Sequence, residues 1–224
     1  VLWLAAPGLA KDYFVAPDGD EANAGTLEKP KKDPVKLAAE LQPGDTLFFR
    51  KGEYKCRSSG TVGLGPSRSG EEGKPITFKN HNNEPVKIDC TGSDWGFTPN
   101  GWSWIVIDGF EIVNTTHYGI KISANHGNGK QTGSHVTIRN CDIHDTGMEC
   151  IFVFETPFLT IENCHLHDSK GSHGLYINKV CHNAVVRNVT SENNKGNSGT
   201  QINAAGGGTT NALIERCILR GNAQ

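Results

Sequence analysis

From about residue 100 onward, apolar and polar residues alternate in short runs, and each run breaks at the same kind of residue. The runs read Ile107-Asp108-Gly109-Phe110, Ile138-Arg139-Asn140-Cys141, Ile161-Glu162-Asn163-Cys164 and Val186-Arg187-Asn188-Val189, and a fifth begins at Ile214-Glu215-Arg216-Cys217. Their first residues lie 31, 23, 25 and 28 positions apart. A fixed internal pattern with elastic spacing describes one structural unit stacked on copies of itself, joined by loops of variable length. Period-two alternation is strand chemistry. In the third run Leu159 and Ile161 face inward while Thr160 and Glu162 face outward. After Asn163 the phase shifts, so that Cys164 and Leu166 face inward and His165 and His167 outward. Asn and Gly tolerate the positive φ of a tight bend. Gly109, Asn140, Asn163 and Asn188 therefore form a column of bends, which Arg216 interrupts.

A second polar column holds Asn114, Asp145, Asp168 and Asn193, and a third strand follows each member: 119–123, 150–154, 174–178 and 199–203. Three short strands and three turns make one rung, and rungs stack about 4.8 Å apart through parallel ladders. The expected fold class is all-β, a parallel β-helix solenoid. The N-terminal part predicts a short strand at 12–16, a helix from Asp33-Pro34 to about Leu41, a strand at 46–49 and a turn at Gly52-Glu53-Tyr54. Asp at the N-cap and Pro in the first turn are helix-start signals, and an amphipathic helix suits the end of a solenoid. The expected division is a signal-peptide remnant at 1–10, an N-terminal cap over 11–74, and rungs over 75–224. The sequence stops just after a third-type strand, and an open β-edge is hazardous, so the natural protein is expected to continue.

Composition refines this picture at three points. A net charge of -2 gives no bulk electrostatic case for nucleic acid or an anionic membrane, and a monomer is expected. Hydrophobic content of 36% and a mean hydropathy of -0.44 are low, as a solenoid with many small turn residues allows. Residues 1–10, VLWLAAPGLA, read as the tail of a secretory leader cut before Lys11. Among seven cysteines, Cys141, Cys164 and Cys217 share one inward column and read as a buried thiol stack, while Cys56 and Cys90 are positioned by sequence to pair near the cap.

The asparagine column at the short bend between two strands resembles the asparagine ladder of pectate-lyase-like right-handed parallel β-helix proteins. The phrase Gly44-Asp45-Thr46-Leu47 with Gly52-Glu53-Tyr54 resembles the opening of secreted β-helix lyases and glycosidases. His173-Gly174-Leu175-Tyr176-Ile177 and Gln201-Ile202-Asn203-Ala204 resemble a pattern in secreted bacterial β-helix proteins. The resemblance implies a right-handed solenoid with an N-terminal capping helix, and a cleft along the third strand of each rung. It implies a secreted or cell-surface protein that handles an acidic or neutral polysaccharide.

On that strand the repeat stacks three outward columns. One holds Tyr118, Glu149, His173 and Ser198; the next holds Lys121, Phe152, Tyr176 and Gln201; the third holds Ser123, Phe154, Asn178 and Asn203, with Glu155 and Lys179 just beyond. Phe152, Phe154 and Tyr176 are candidates to stack on sugar rings. A β-elimination needs a base, a group that neutralises the uronate, and an acid for the leaving oxygen. Lys121, His173 and Tyr176 are the candidate base and acid; Asn178, Lys179, Gln201 and Asn203 are candidates for binding substrate. Glu149 and Glu155 are candidates to tune His173 or to ligate Ca²⁺, which takes oxygen donors; the competing reading is a surface Glu149–His173 ion pair of little worth. The loop 124–135, long beside 155–157, is expected to wall the groove.

Asp145 and Asp168 would stack in neighbouring rungs, as paired glycosidase carboxylates do, but Asn114 and Asn193 share their column, which favours turn residues. His144 and His167 also stack, with Glu192 next; repeats bring such side chains together automatically, and metal binding is the alternative. The aspartate clusters of β-helix pectate lyases, the Asn/Glu/Glu set of chondroitinase-like relatives and the Asp-Pro-His motif of alginate epimerases are not found. The leading expectation is a lyase on a uronate polymer, with a glycoside hydrolase or a non-catalytic carbohydrate-binding solenoid as alternatives.

Overall fold

A computed structural model describes residues 9–56, 63–123, 133–196, 198–203 and 209–222. Among these residues the strands form three sheets, and the chain visits them in the same order on every full rung. The eight-stranded sheet contains Asp12–Val15, Thr46–Phe49, Ile76–Asn80, Ile105–Asp108, Val136–Arg139, Thr160–Glu162, Val185–Arg187 and Leu213–Glu215. The seven-stranded sheet contains Gly52–Lys55, Val86–Asp89, Glu111–Val113, Asp142–His144, His165–His167, Thr190–Glu192 and Ile218–Arg220. The five-stranded sheet contains Trp95–Phe97, Tyr118–Ile122, Ile151–Phe154, Leu175–Asn178 and Thr200–Asn203. Pairing is parallel and in register: Ile107 faces Ile138, which faces Ile161, which faces Val186. The fold is the expected parallel β-helix.

The inward alternation closes one continuous core. Ile107, Ile138, Ile161, Ile112, Ile143, Leu166, Ile120, Ile151 and Leu175 have no exposed surface. Cys141 and Cys164 are buried in it as free thiols and Cys217 is partly buried, as the thiol column predicts. Cys56 and Cys90 form a disulfide with Cα atoms 4.7 Å apart, tying two neighbouring strands of the seven-stranded sheet together at their ends.

The helix Pro34–Glu40 forms where expected. Asp33 accepts hydrogen bonds from the backbone of Val35 (2.9 Å) and Lys36 (3.4 Å), with Pro34 in the first turn, which satisfies orphan N–H groups. Leu37, Ala38 and Leu41 bury against the same core as Val15 and Leu47. The strands around this helix join the same sheets as the rungs. Asp12–Val15 pairs with Thr46–Phe49, which pairs with Ile76–Asn80, so stacking begins well before residue 75. Gly52–Lys55, expected as a turn, is a strand paired with Val86–Asp89. The reason is Tyr54, whose buried ring packs 5.2 Å from Phe49 and whose hydroxyl donates to the carbonyls of Val15 (3.0 Å) and Arg50 (2.8 Å).

The bends carry left-handed backbone at the same place on every rung. φ is 87° at Gly109, 54° at Asn140, 53° at Asn163, 52° at Asn188 and 52° at Arg216. The side-chain amides then bond along the stack. Asn140 donates to Asp108 (2.7 Å), Asn163 to Asn140 (3.4 Å) and Asn188 to Asn163 (3.0 Å). Arg216, expected to interrupt the column, extends it: it adopts the same bend and its Nε donates to Asn188 at 2.8 Å. An amide acceptor needs only a donor above it, and a guanidinium supplies one. Asn114, Asp145, Asp168 and Asn193 also have φ between 52° and 61°, which bears out the reading of that column as turn residues.

The column just before the bends alternates in charge: Lys79, Asp108, Arg139, Glu162, Arg187 and Glu215 lie in register. Asp108 is the best buried of these, 3.0 Å from Arg139 and 3.3 Å from Lys79. Burial acts to raise its pKa but is outweighed by the Asn140 hydrogen bond and the Arg139 and Lys79 charges, so the carboxyl is held below its ordinary range.

Two outcomes follow. Asn163→Gly keeps the bend and loses the amide ladder, costing about 1 kcal/mol; Asn163→Ala loses the ladder and also the short polar side chain that lets asparagine tolerate left-handed backbone, costing about 2 kcal/mol or more, as urea denaturation will measure. Asp108→Asn removes a depressed carboxylate, whose contribution is fully present above the unfolded pKa near 4 and is lost as pH falls through its lower folded pKa. The stability gap between the native chain and Asp108→Asn should therefore be widest near neutrality and shrink as pH falls below about 4.

Candidate active site

The outward face of the five-stranded sheet gathers the side chains expected to form a cleft. Lys121, Phe152, Tyr176 and Gln201 occupy one register column, and Phe154, Asn178 and Asn203 the next. The rings form a strip: Tyr118 stacks on Phe152 with centroids 5.0 Å apart, and Phe152 meets Tyr176 edge-on at 5.7 Å. All three are partly exposed. Asn203 Nδ2 donates to the Tyr176 hydroxyl at 3.2 Å.

Lys121 sits at the head of this strip. Its Nζ lies 4.0 Å from the centre of the Trp95 ring and 6.0 Å from that of Tyr118. Burial lowers its pKa from the ordinary lysine value, and the Asp94 charge opposes the shift without cancelling it. Asp94 itself stays ionised, its pKa lowered by a 2.6 Å hydrogen bond from Thr116 Oγ1 together with His117 at 3.1 Å. Trp95 and Asp94 were not singled out from the sequence. The signal was present: Trp95-Gly96-Phe97 matches Tyr118-Gly119-Ile120, and Trp95 stands in register with Tyr118.

Glu149 and His173 differ from expectation. They are in the expected column but are buried, 4% and 8% exposed, and they do not make a surface ion pair. Glu149 Oε1 accepts from Ser172 Oγ at 2.8 Å, while its buried Oε2 has no hydrogen-bond partner. His173 Nδ1 lies 2.9 Å from the Ser198 carbonyl oxygen and 3.1 Å from its hydroxyl, and the ring meets Tyr176 edge-on at 5.6 Å. Both residues end long polar turns, and the turn of the next rung, at Ser172 or Ser198, folds over each. Lys179 and Glu155 pair with each other at 3.3 Å, and the Lys179 ammonium lies 4.5 Å from the Phe154 ring centre. Glu155 and Lys179 are turn residues with φ of 50° and 60°.

Glu149 and Glu155 do not fit one calcium ion. They flank the strand Ile151–Phe154 at opposite ends, and at about 3.3 Å per residue the strand keeps them on the order of 15 Å apart, far beyond the 2.3–2.6 Å ligand bonds of a shared Ca²⁺. The expected groove wall at 124–132 lies outside the described residues. Asp145 and Asp168 do not face this cleft as a catalytic pair; each accepts from its neighbouring histidine, His144 at 2.9 Å and His167 at 2.6 Å.

Asp94→Asn removes the charge that favours the Lys121 ammonium, so the lysine pKa should fall further. NMR titration of the reductively ¹³C-methylated chain, with Lys121→Arg to assign the signal, will measure this.

Comparison with known proteins places this geometry in a family. Residues 13–131 match the family described as Pel9A-like, right handed beta helix region, and residues 74–224 match the right handed beta helix region. The chain is 38% identical over 78 residues to the uncharacterized protein YwoF of Bacillus subtilis (strain 168), covering 34% of this chain and 15% of that one. It is 28% identical over 152 residues to pectate lyase L of Dickeya chrysanthemi, covering 61% of this chain and 33% of that one. It therefore matches a third or less of the length of these relatives. The crystal structure of pectate lyase Pel9A superposes with a TM-score of 0.70 at 19% identity, over 92% of this chain and 62% of that one. The solenoid, its asparagine ladder and these matches together establish that the chain belongs to the Pel9A-like family of right-handed parallel β-helix proteins.

Proposed function

We propose that this chain carries the substrate face of a secreted polysaccharide lyase that cleaves a uronate-containing polymer by β-elimination. The observation that carries the reading is Lys121. An amine with a lowered pKa, set on two aromatic faces at the head of a strip of rings, holds a larger fraction of the neutral base than an ordinary lysine. In this reading the Lys121 amine removes the proton on the carbon next to the uronate carboxylate. The freed electron pair forms the carbon–carbon double bond, and the glycosidic oxygen leaves with a proton. Tyr176 accepts from Asn203, which leaves its own hydroxyl proton to donate to that oxygen. Phe152 and Tyr176 stack on the sugar rings, and Asn178 and Gln201 donate to the substrate carboxylate. His173 positions Tyr176 from beneath the surface. The likeness to pectate lyase L supports an acidic polysaccharide as substrate.

The hydrolase reading has less support, because it needs two carboxylates flanking the scissile bond. Glu149 is buried and Glu155 is paired with Lys179.

A panel of pectate, alginate, glucuronan and glycosaminoglycans, with and without calcium, tests the proposal. Ultraviolet absorbance of the unsaturated product should rise together with reducing ends. Lys121→Ala should lower kcat by about 100-fold or more and Tyr176→Phe by about 10-fold or more, with folding unchanged by circular dichroism. Reducing ends without absorbance would mean hydrolysis, and binding without either would mean a carbohydrate-binding solenoid.

A further inference from the structure

The seven-stranded sheet carries a second cluster that the lyase reading does not use. His165 and His167 are two positions apart on one strand, so both project from its outer face. Asp142 is the register partner of His165, and His167 stands between His144 and Glu192. Asp142 Oδ1 lies 3.0 Å from His167 Nε2 and 3.4 Å from His165 Nδ1. One ligand atom from each of the three residues falls within 4.8 Å of the others. Bonds of about 2.0–2.1 Å in a tetrahedral centre hold ligand atoms about 3.3 Å apart, which is the spacing seen around Asp142.

The outer nitrogens supply an independent argument. His167 Nδ1 lies 2.6 Å from Asp168 Oδ2, and His165 Nε2 lies 2.8 Å from Glu192 Oε1. Glu192 is held in turn by Arg220. A neutral imidazole has one N–H and one lone pair. With each N–H given to its outer carboxylate, the lone-pair nitrogens that remain both lie beside the Asp142 oxygen, His167 Nε2 at 3.0 Å and His165 Nδ1 at 3.4 Å. Two lone pairs and a carboxylate meeting at one place repel each other unless positive charge sits among them, either as protons on the rings or as a metal ion. Carboxylate–histidine–metal relays are the usual way a protein fixes the tautomer and direction of a ligating imidazole, and here both rings have the outer carboxylate of such a relay. The ring of His144 stacks on His167 with centroids 4.6 Å apart, which further fixes its plane. The Asp142 side chain is 49% exposed and His165 39%, leaving room for water as a fourth ligand.

We propose that Asp142, His165 and His167 bind one divalent first-row transition-metal ion, of which zinc is the best match for two imidazoles and one carboxylate. Asp168 and Glu192 orient the histidines as second partners. The ion would bridge the strands Asp142–His144 and His165–His167 and so brace two neighbouring rungs on the outside of the solenoid. The site lies on a different sheet from Lys121, and the proposal does not depend on the lyase reading.

The test uses the untagged chain after dialysis against a chelator. Zn²⁺ titration by calorimetry should give one equivalent per chain, with a higher midpoint of thermal unfolding, and Co²⁺ should give the visible bands of a four-coordinate N/O site. His165→Ala with His167→Ala should abolish both signals, Asp142→Asn should weaken binding, and Glu192→Gln should weaken it about 10-fold or more. His117→Ala, which removes a histidine on the far side of the turn, should leave binding unchanged. If the double variant does not fold, Asp142→Asn and Glu192→Gln decide the matter. No zinc binding by the folded native chain, or binding that survives these substitutions, would overturn the proposal and leave protons as the charge between the rings.

Discussion

In-register parallel stacking is the constraint on which everything else in this molecule depends. Each side chain meets, one strand spacing away, the residue at its own position in the next rung. A position can therefore hold only chemistry that tolerates a copy of itself or alternates with a complement. Aliphatic residues satisfy this inside, where Ile107, Ile138 and Ile161 repeat without a gap. Amides satisfy it at the bends because each is both donor and acceptor, which is why the ladder runs from Asp108 through Asn140, Asn163 and Asn188 to Arg216. Charge is best satisfied by alternating, and the column from Lys79 to Glu215 does so at every step.

The same constraint assembles the functional faces. Aromatic residues stacked at one position on the five-stranded sheet give the flat strip of Tyr118, Phe152 and Tyr176, and the preceding rung places Trp95 beneath Lys121. On the seven-stranded sheet it brings His144 and His167 of successive rungs face to face, with Asp142 and Glu192 in register beside His165 and His167. The pKa of Lys121 is lowered by burial, and the nearby Asp94 carboxylate opposes the shift without cancelling it.

The fold was legible in the sequence because stacking leaves a mark at fixed intervals. The alternation gives strands, the phase shift at Asn163 gives the bend, and the recurrence gives the solenoid. Register followed from the same alignment, so the columns of Lys121 and Phe154 could be written down in advance. Two readings failed because a neighbour outside the pattern decided them. Gly52–Lys55 looks like a turn, yet becomes a strand because the Tyr54 ring has a core to enter and two carbonyls to bond. Arg216 looks like a break in the ladder, yet continues it, since the ladder asks for a donor in left-handed backbone rather than for an amide.

What the sequence by itself determined is periodic: strand identity, inward and outward faces, bend positions and the neighbours that stacking imposes. What only the tertiary structure decided is burial and direction at the ends of strands, where the period stops. Alternation placed Glu149 and His173 outward, but the following turns cover both, because a turn's path depends on loops of unequal length that no period describes. The approach of His167 to Asp142 is decided in the same way, by diagonal reach across strands: a repeat says which residues are level with one another, as Asp142 and His165 are, and only packed rotamers say which further atoms come together.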